Sequence, residues 1–87
     1  MTSPPPELLR SFARILRQAR ELRGWTLAEL AHATQLNPKQ LQALEAGMRA
    51  PTLGQLVALD LGLQLEPGAL VALTLRETSP GKALGSR

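Results

Sequence analysis

The side chains that could do chemistry gather between residues 26 and 51: Lys39, Gln42 and Arg49, with Thr26, Glu29, Asn37, Gln40 and Glu45 around them. They are hydrogen-bonding groups and charges, not an acid–base–nucleophile set. A lysine ammonium can donate to the O6 and N7 of guanine, and a glutamine amide can pair with the N6 and N7 of adenine. A good bidentate contact of this kind discriminates by about 1–3 kcal/mol. The chain contains no Ser/His/Asp or Cys/His set, no Gly-rich phosphate loop and no metal-ligand spacing. No catalytic residue, metal or cofactor is therefore expected, no small-molecule substrate is evident, and the chain is not expected to be an enzyme.

The elements that must position these groups follow from the order of residues. Thr26-x-x-Glu29-Leu30-Ala31 precedes, at fixed distance, Leu36-Asn37-Pro38-x-Gln40-Leu41-x-x-Leu44-Glu45-x-Gly47-x-Arg49-x-Pro51. Thr26 with Glu29 is a capping box, predicting a helix over residues 26–33 with Leu27, Leu30 and Ala31 facing inward. After the short link Thr34-Gln35-Leu36, Asn37 opens another helix, residues 37–46. Pro38 stands at its first position, where a missing N–H costs nothing. Gln40 completes a second capping box, and Gly47 ends the helix. Two short helices across a tight turn, the second with a polar outer face, form the unit that places a helix in the major groove of DNA.

Around this pair, Leu8, Phe12, Ile15, Leu16, Ala19 and Leu22 recur at three- and four-residue steps, predicting a first helix that Gly24 closes. Trp25 sits where a hydrophobic staple belongs and reads as a core plug. Arg10, Arg14 and Arg17 read as a solvated face, and His32 as a surface residue. Thr52 with Gln55 caps a fourth helix carrying Leu53, Leu56, Val57 and Leu59. Beyond it two readings stay open. Leu59, Leu61, Leu63 and Leu65 alternate with polar or small residues as a strand would, with Glu66-Pro67-Gly68 as a turn into a second strand over residues 71–75. Alternatively, Pro67 enters a fifth helix carrying Leu70, Val71 and Leu73. The domain expectation is a flexible Pro-rich leader (residues 1–6), one domain over residues 7–75, and a flexible tail (residues 76–87).

Bulk properties agree with a small helical domain. The 87 residues are enough for one core of marginal size, and without cysteine no disulfide or thiolate metal site can reinforce it. Leu, Ala and Val dominate the apolar residues, which favours helices. The net charge of +3 suits a phosphate-rich partner, yet residues 26–51 are formally neutral, Lys39 and Arg49 balancing Glu29 and Glu45. No apolar run could cross a bilayer and the N-terminus lacks the regions of a secretion signal, so a soluble, cytoplasmic protein with no membrane partner is expected.

On these motifs, residues 8–70 resemble the Cro/lambda-repressor-like (XRE family) helix-turn-helix domains. The resemblance rests on Arg20 before Gly24, the Thr26-x-x-Glu29-Leu30-Ala31 start, Leu36, Asn37, Leu41, Leu44-Glu45-x-Gly47 and Arg49-x-Pro51. It implies an all-α, five-helix lambda-repressor-like bundle, the alternative being four helices followed by a short C-terminal β element. It also implies that residues 37–46 are the recognition helix, with Pro38, Lys39, Gln42 and Ala43 facing bases. Thr26, Leu27, Asn37, Gln40 and Arg49 would face phosphates, and Arg20 and Glu45 would form a structural ion pair.

Two positions depart from the family. Leu27 stands where glutamine is common. Gln35 stands where glycine is common, which costs roughly 1 kcal/mol if the backbone there is left-handed. The expected function is a sequence-specific DNA-binding regulator, a repressor, acting as a homodimer on a palindrome of double-stranded DNA with half-sites about one helical turn apart. Two alternatives accompany it. The run Leu61-Gly62-Leu63-Gln64-Leu65 is similar to a strand of HipB-type antitoxins, implying a toxin partner. A helix-turn-helix interaction module that has lost DNA binding is the other.

Overall fold

The computed structural model describes residues 4–78, which form five α-helices and, among the described residues, no strand. α1 spans Pro6–Leu22, α2 Leu27–Thr34, α3 Pro38–Glu45, α4 Leu53–Gly62 and α5 Ala69–Thr78. The all-α, five-helix expectation therefore holds and its β-element alternative does not. The expected leader and tail fall largely outside the described residues; inside them, Pro6 is the first residue of α1 and residues 76–78 belong to α5. No helix among the described residues is long and apolar enough to cross a membrane.

Helix starts follow the sequence signals. Thr26 and Glu29 exchange both bonds of a capping box, as do Thr52 and Gln55. The ends of α1 to α4 share one device: a left-handed residue followed by an N–H that reaches back five residues. The left-handed residues are Gly24, Gln35, Gly47 and Gln64. The bonds run Trp25 to Arg20 (3.2 Å), Leu36 to Ala31 (3.2 Å), Met48 to Ala43 (3.0 Å) and Leu65 to Asp60 (2.8 Å). Two of these four stops therefore use glutamine where the backbone favours glycine.

The core is a set of leucines drawn from every helix. Leu16, Leu30, Leu41, Leu44, Leu59, Leu63 and Leu70 are fully buried, with Phe12, Ile15 and Ala31 beside them. α1 packs on α3 and α5, while α2 packs on α3 and α4. Complete burial stabilises the fold by about 1.5–3 kcal/mol per leucine before conformational entropy is charged.

Some apolar positions turn the other way. Leu53, Val57 and Leu61, four apart along α4, are 78%, 50% and 67% exposed. Leu22, counted in the apolar stripe of the first helix, is 85% exposed because it lies at the helix's last turn, past the neighbours that cover Leu16. In α5, Leu70 is buried whereas Val71 and Leu73 are exposed.

The alternating leucines form no strand. A strand would put Leu59, Leu61, Leu63 and Leu65 on one face. Here Leu59 and Leu63 are buried one helical turn apart, Leu65 is half-buried and Leu61 faces outward. Leu61 and Gly62 are the last residues of α4, so the run similar to an antitoxin strand is a helix end.

Asp60 supplies what the alternation conceals. It is buried at 4% exposure, and its carboxylate accepts from the Gly68 N–H (2.8 Å) and the Leu70 N–H (3.3 Å). A side chain of α4 thus caps α5 across the intervening turn and satisfies amides that the helix cannot. We predict that Asp60→Ala destabilises the protein by about 1–3 kcal/mol in urea unfolding, with Asp60→Asn costing less because one acceptor survives. A loss within experimental error for both variants would show that α5 does not depend on this cap.

Candidate nucleic-acid interface

The α2–α3 turn is built from residues whose polar groups are spent locally. The buried Thr34 hydroxyl donates to the Leu30 carbonyl at 2.8 Å. Gln35 adopts φ 61°, and its side-chain amide donates to the His32 carbonyl at 2.8 Å, which offsets part of the cost of that conformation. The turn is braced from behind by Gly62. A Cβ there would lie 2.6 Å from Thr34 Cγ2 and 2.9 Å from the Ala33 carbonyl oxygen, so the end of α4 can approach α2 only as glycine.

Asn37 then starts α3. Its Oδ1 accepts from the Lys39 N–H (2.8 Å) and the Gln40 N–H (3.3 Å). The expected capping box is only half present. Instead of returning to Asn37, the Gln40 side chain meets α4, where its Oε1 accepts from Gln55 Nε2 at 3.4 Å.

The amino-terminal end of α3 is open to solvent. Asn37, Pro38, Lys39, Gln40 and Gln42 are all exposed, and Ala43 is half-buried. Thr26 and Arg49 are exposed as well. The Leu27 side chain packs against the core, leaving its backbone as the part available to a ligand. At the start of α2 the Thr26 and Glu29 N–H groups are consumed by the capping box.

One carboxylate fixes the attitude of α3. Glu45, 5% exposed at the helix's end, receives both arms of Arg20: Nε to Oε2 at 2.7 Å and Nη2 to Oε1 at 3.0 Å. The third nitrogen of Arg20 donates to the Trp25 carbonyl at 2.8 Å, so a single guanidinium joins α1, the α1–α2 link and the end of α3. Its pKa is raised, first by the bond to Glu45 and opposed by burial. A raised folded pKa stabilises below the unfolded value and is lost only as pH rises through the folded one. For arginine that window lies far into alkali, so its contribution is fully present at neutral pH.

Arg17, read from the sequence as merely solvated, donates to the Glu45 carbonyl at 2.9 Å and so caps α3. Nothing in the sequence distinguishes it from its neighbours. Arg14 forms an exposed pair with Glu77 at 2.7 Å, of the kind worth about 0–1 kcal/mol. Arg23 lies over the Trp25 ring, 5.9 Å from its centroid, and donates to the Leu63 carbonyl.

This pairing changes the electrostatics of residues 26–51. Glu45 is internal and neutralised by Arg20, whereas Glu29 stays at the surface in its cap. Lys39 and Arg49 are exposed without an ion-pair partner among the described residues. The surface presented outward is consequently more positive than the formally neutral sequence.

A sequence match to the helix-turn-helix family spans residues 16–70, well over half the chain, and takes in α2, α3 and the Arg20–Glu45 pair. The chain belongs to the helix-turn-helix family, in its XRE branch, a group of DNA-binding regulators rather than enzymes. Solved structures share the fold. The clp gene regulator ClgR from Corynebacterium glutamicum superposes with a TM-score of 0.74 at 24% identity, over 98% of this chain and 88% of that one. A second structure of ClgR gives 0.71 at 25% identity, over 83% and 94%. The wild-type restriction-modification controller protein C.Esp1396I gives 0.72 at 21% identity, over 83% and 92%. No curated protein matches the chain by sequence.

Removing one partner of a buried ion pair strands the other. We predict that Glu45→Ala costs about 3–5 kcal/mol in chemical unfolding, whereas the double variant Arg20→Met/Glu45→Leu recovers most of that loss. Equal and additive losses would mean that the two groups do not act as a unit.

Proposed function

We propose that this protein is a sequence-specific transcriptional regulator, a repressor, that acts in the cytoplasm as a homodimer on a palindromic operator. The observation that carries the reading is the exposed amino-terminal end of α3, held on a helix whose other end is locked by Arg20 and Glu45. Lys39 and Gln42 offer the donors for base edges, and Pro38 and Ala43 offer apolar contact, for instance to a thymine methyl. Arg49, with Thr26, the Leu27 N–H, Asn37 and Gln40, faces phosphates and sets the register.

Homodimerisation is supported by the apolar stripe Leu53, Val57 and Leu61, which faces solvent along α4. One small module buries a modest interface with DNA, and a second copy doubles it. A two-fold pair of recognition helices reads half-sites about one helical turn apart, which requires a palindrome. A repressor of this kind acts by occupying its operator.

Selection from a random DNA pool supplies the operator for two tests. Lys39→Ala should relax preference at one base position, at a cost of about 1–3 kcal/mol on the selected site, whereas Arg49→Ala should weaken all sequences alike and lower the salt slope by about one. A wild-type protein that binds no duplex even at low salt, where a genuine binder gains affinity steeply, would instead make this an interaction module. For the dimer, Val57→Asp should sediment as a monomer while the wild-type protein sediments as a pair. A monomeric wild-type protein at micromolar concentration would contradict the stripe's assignment.

A further inference from the structure

We infer that Gln55, a buried residue of α4, is a positioning residue of the DNA-binding surface: it fixes the amide of Gln40 so that N–H donors alone point outward, toward a backbone phosphate. The inference rests on the DNA-binding reading above and deepens it.

The polarity is set from one end. The Thr52 backbone N–H can only donate, and it donates to Gln55 Oε1 at 2.9 Å. That bond decides which way the Gln55 amide lies, and its Nε2 therefore faces Gln40. At 3.4 Å the next contact is long, but Nε2 can only donate, so Gln40 must present Oε1 to it. Gln55 is 8% exposed, and no buried side-chain nitrogen or oxygen among the described residues is left unpaired. Rotating the Gln40 amide by half a turn would set two NH2 groups against each other and leave a buried donor without an acceptor. The exposed side of Gln40 is thus its Nε2, with two hydrogens and no lone pair to offer.

A donor-only group matches a phosphate oxygen, which accepts only, better than a base edge carrying both donors and acceptors. The first turn of α3 has need of such a donor. Pro38 has no N–H, and the Lys39 and Gln40 amides are already spent on Asn37. The helix start therefore offers a phosphate few of the backbone donors that a helix amino terminus usually presents. Gln40 replaces them with its side chain, and Gln55 holds it in the required sense.

The test is a double-variant cycle on DNA affinity, read on both the selected operator and a mixed-sequence duplex. Gln40→Ala should lower affinity by about tenfold on both duplexes, because a phosphate contact carries no sequence information. Gln55→Glu keeps the Thr52 cap, since glutamate serves at that position, and affinities are compared at a temperature where circular dichroism shows both proteins folded. Its second oxygen, however, accepts where Nε2 donated, and it draws the Gln40 donors inward. Gln55→Glu should then cost about as much as Gln40→Ala, and the two together no more than either alone. Losses that multiply in the double variant would mean that the added charge merely repels DNA, and would overturn the inference. So would a Gln40→Ala loss confined to the selected operator, or no loss at all. These results leave DNA binding intact; failure of the wild-type protein to bind any duplex removes the reading beneath.

Discussion

The structure depends on one bidentate contact between a guanidinium and a carboxylate. α3 is only eight residues long and would not hold its conformation alone, so its direction must come from what grips its ends. Glu45 closes the helix and is seized by Arg20 from α1, while Arg17 takes its carbonyl. Leu41 and Leu44 anchor the inner face in the leucine core. The remaining side of the helix is left with no structural duty, and that freedom makes it available to a ligand. A buried ion pair need not add net stability, but its planar fork fixes an angle that leucines alone could not.

At the other end of α3, order is obtained without consuming the side chains of Lys39 and Gln42. The α2–α3 turn satisfies its carbonyls through Thr34 and the left-handed Gln35, and its position is set by the contact that Gly62 permits. Asn37 satisfies the first amides. Further along, Asp60 performs a similar service for α5, so the fourth helix both supports the turn and starts the fifth. The bundle is thus assembled from short helices whose ends are secured by side chains of their neighbours. This suits a chain with no cysteine and one small core.

Much of this was legible in the sequence because capping chemistry is local. Thr26 with Glu29, Asn37 before Pro38, and Gly47 after Glu45 place helix ends to within a residue or two, and the 3.6-residue period of Leu8 to Ala19 places the first helix. Long-range pairing was less legible. The alternation from Leu59 to Leu65 imitates a strand because Asp60 is polar for a reason unrelated to solvent, capping another helix, while Gln64 ends its own in a left-handed turn. Composition likewise does not say which side of the apolar α4 is covered: Leu53 and Val57 face solvent while Leu59 is buried.

At the candidate site, residue types and their spacing indicated which groups face outward. The sequence could not show that Gln40 is bonded to Gln55, fifteen residues on, or that burial of Glu45 leaves the outer surface positive. Those facts arise only when helices meet. The same is true of Arg17, whose neighbours Arg10 and Arg14 have similar local sequence surroundings and no share in the grip on α3.

Under the proposed function, the amino-terminal turn and outer face of α3 are what enters a duplex. Amide chemical shifts of the labelled protein, followed as the selected operator is added, examine it residue by residue. The largest changes should fall on residues 37–43 and on Arg49, with the outer faces of α1 and α5 nearly silent. Changes concentrated on α1 or α5, with residues 37–43 undisturbed at saturation, would contradict it.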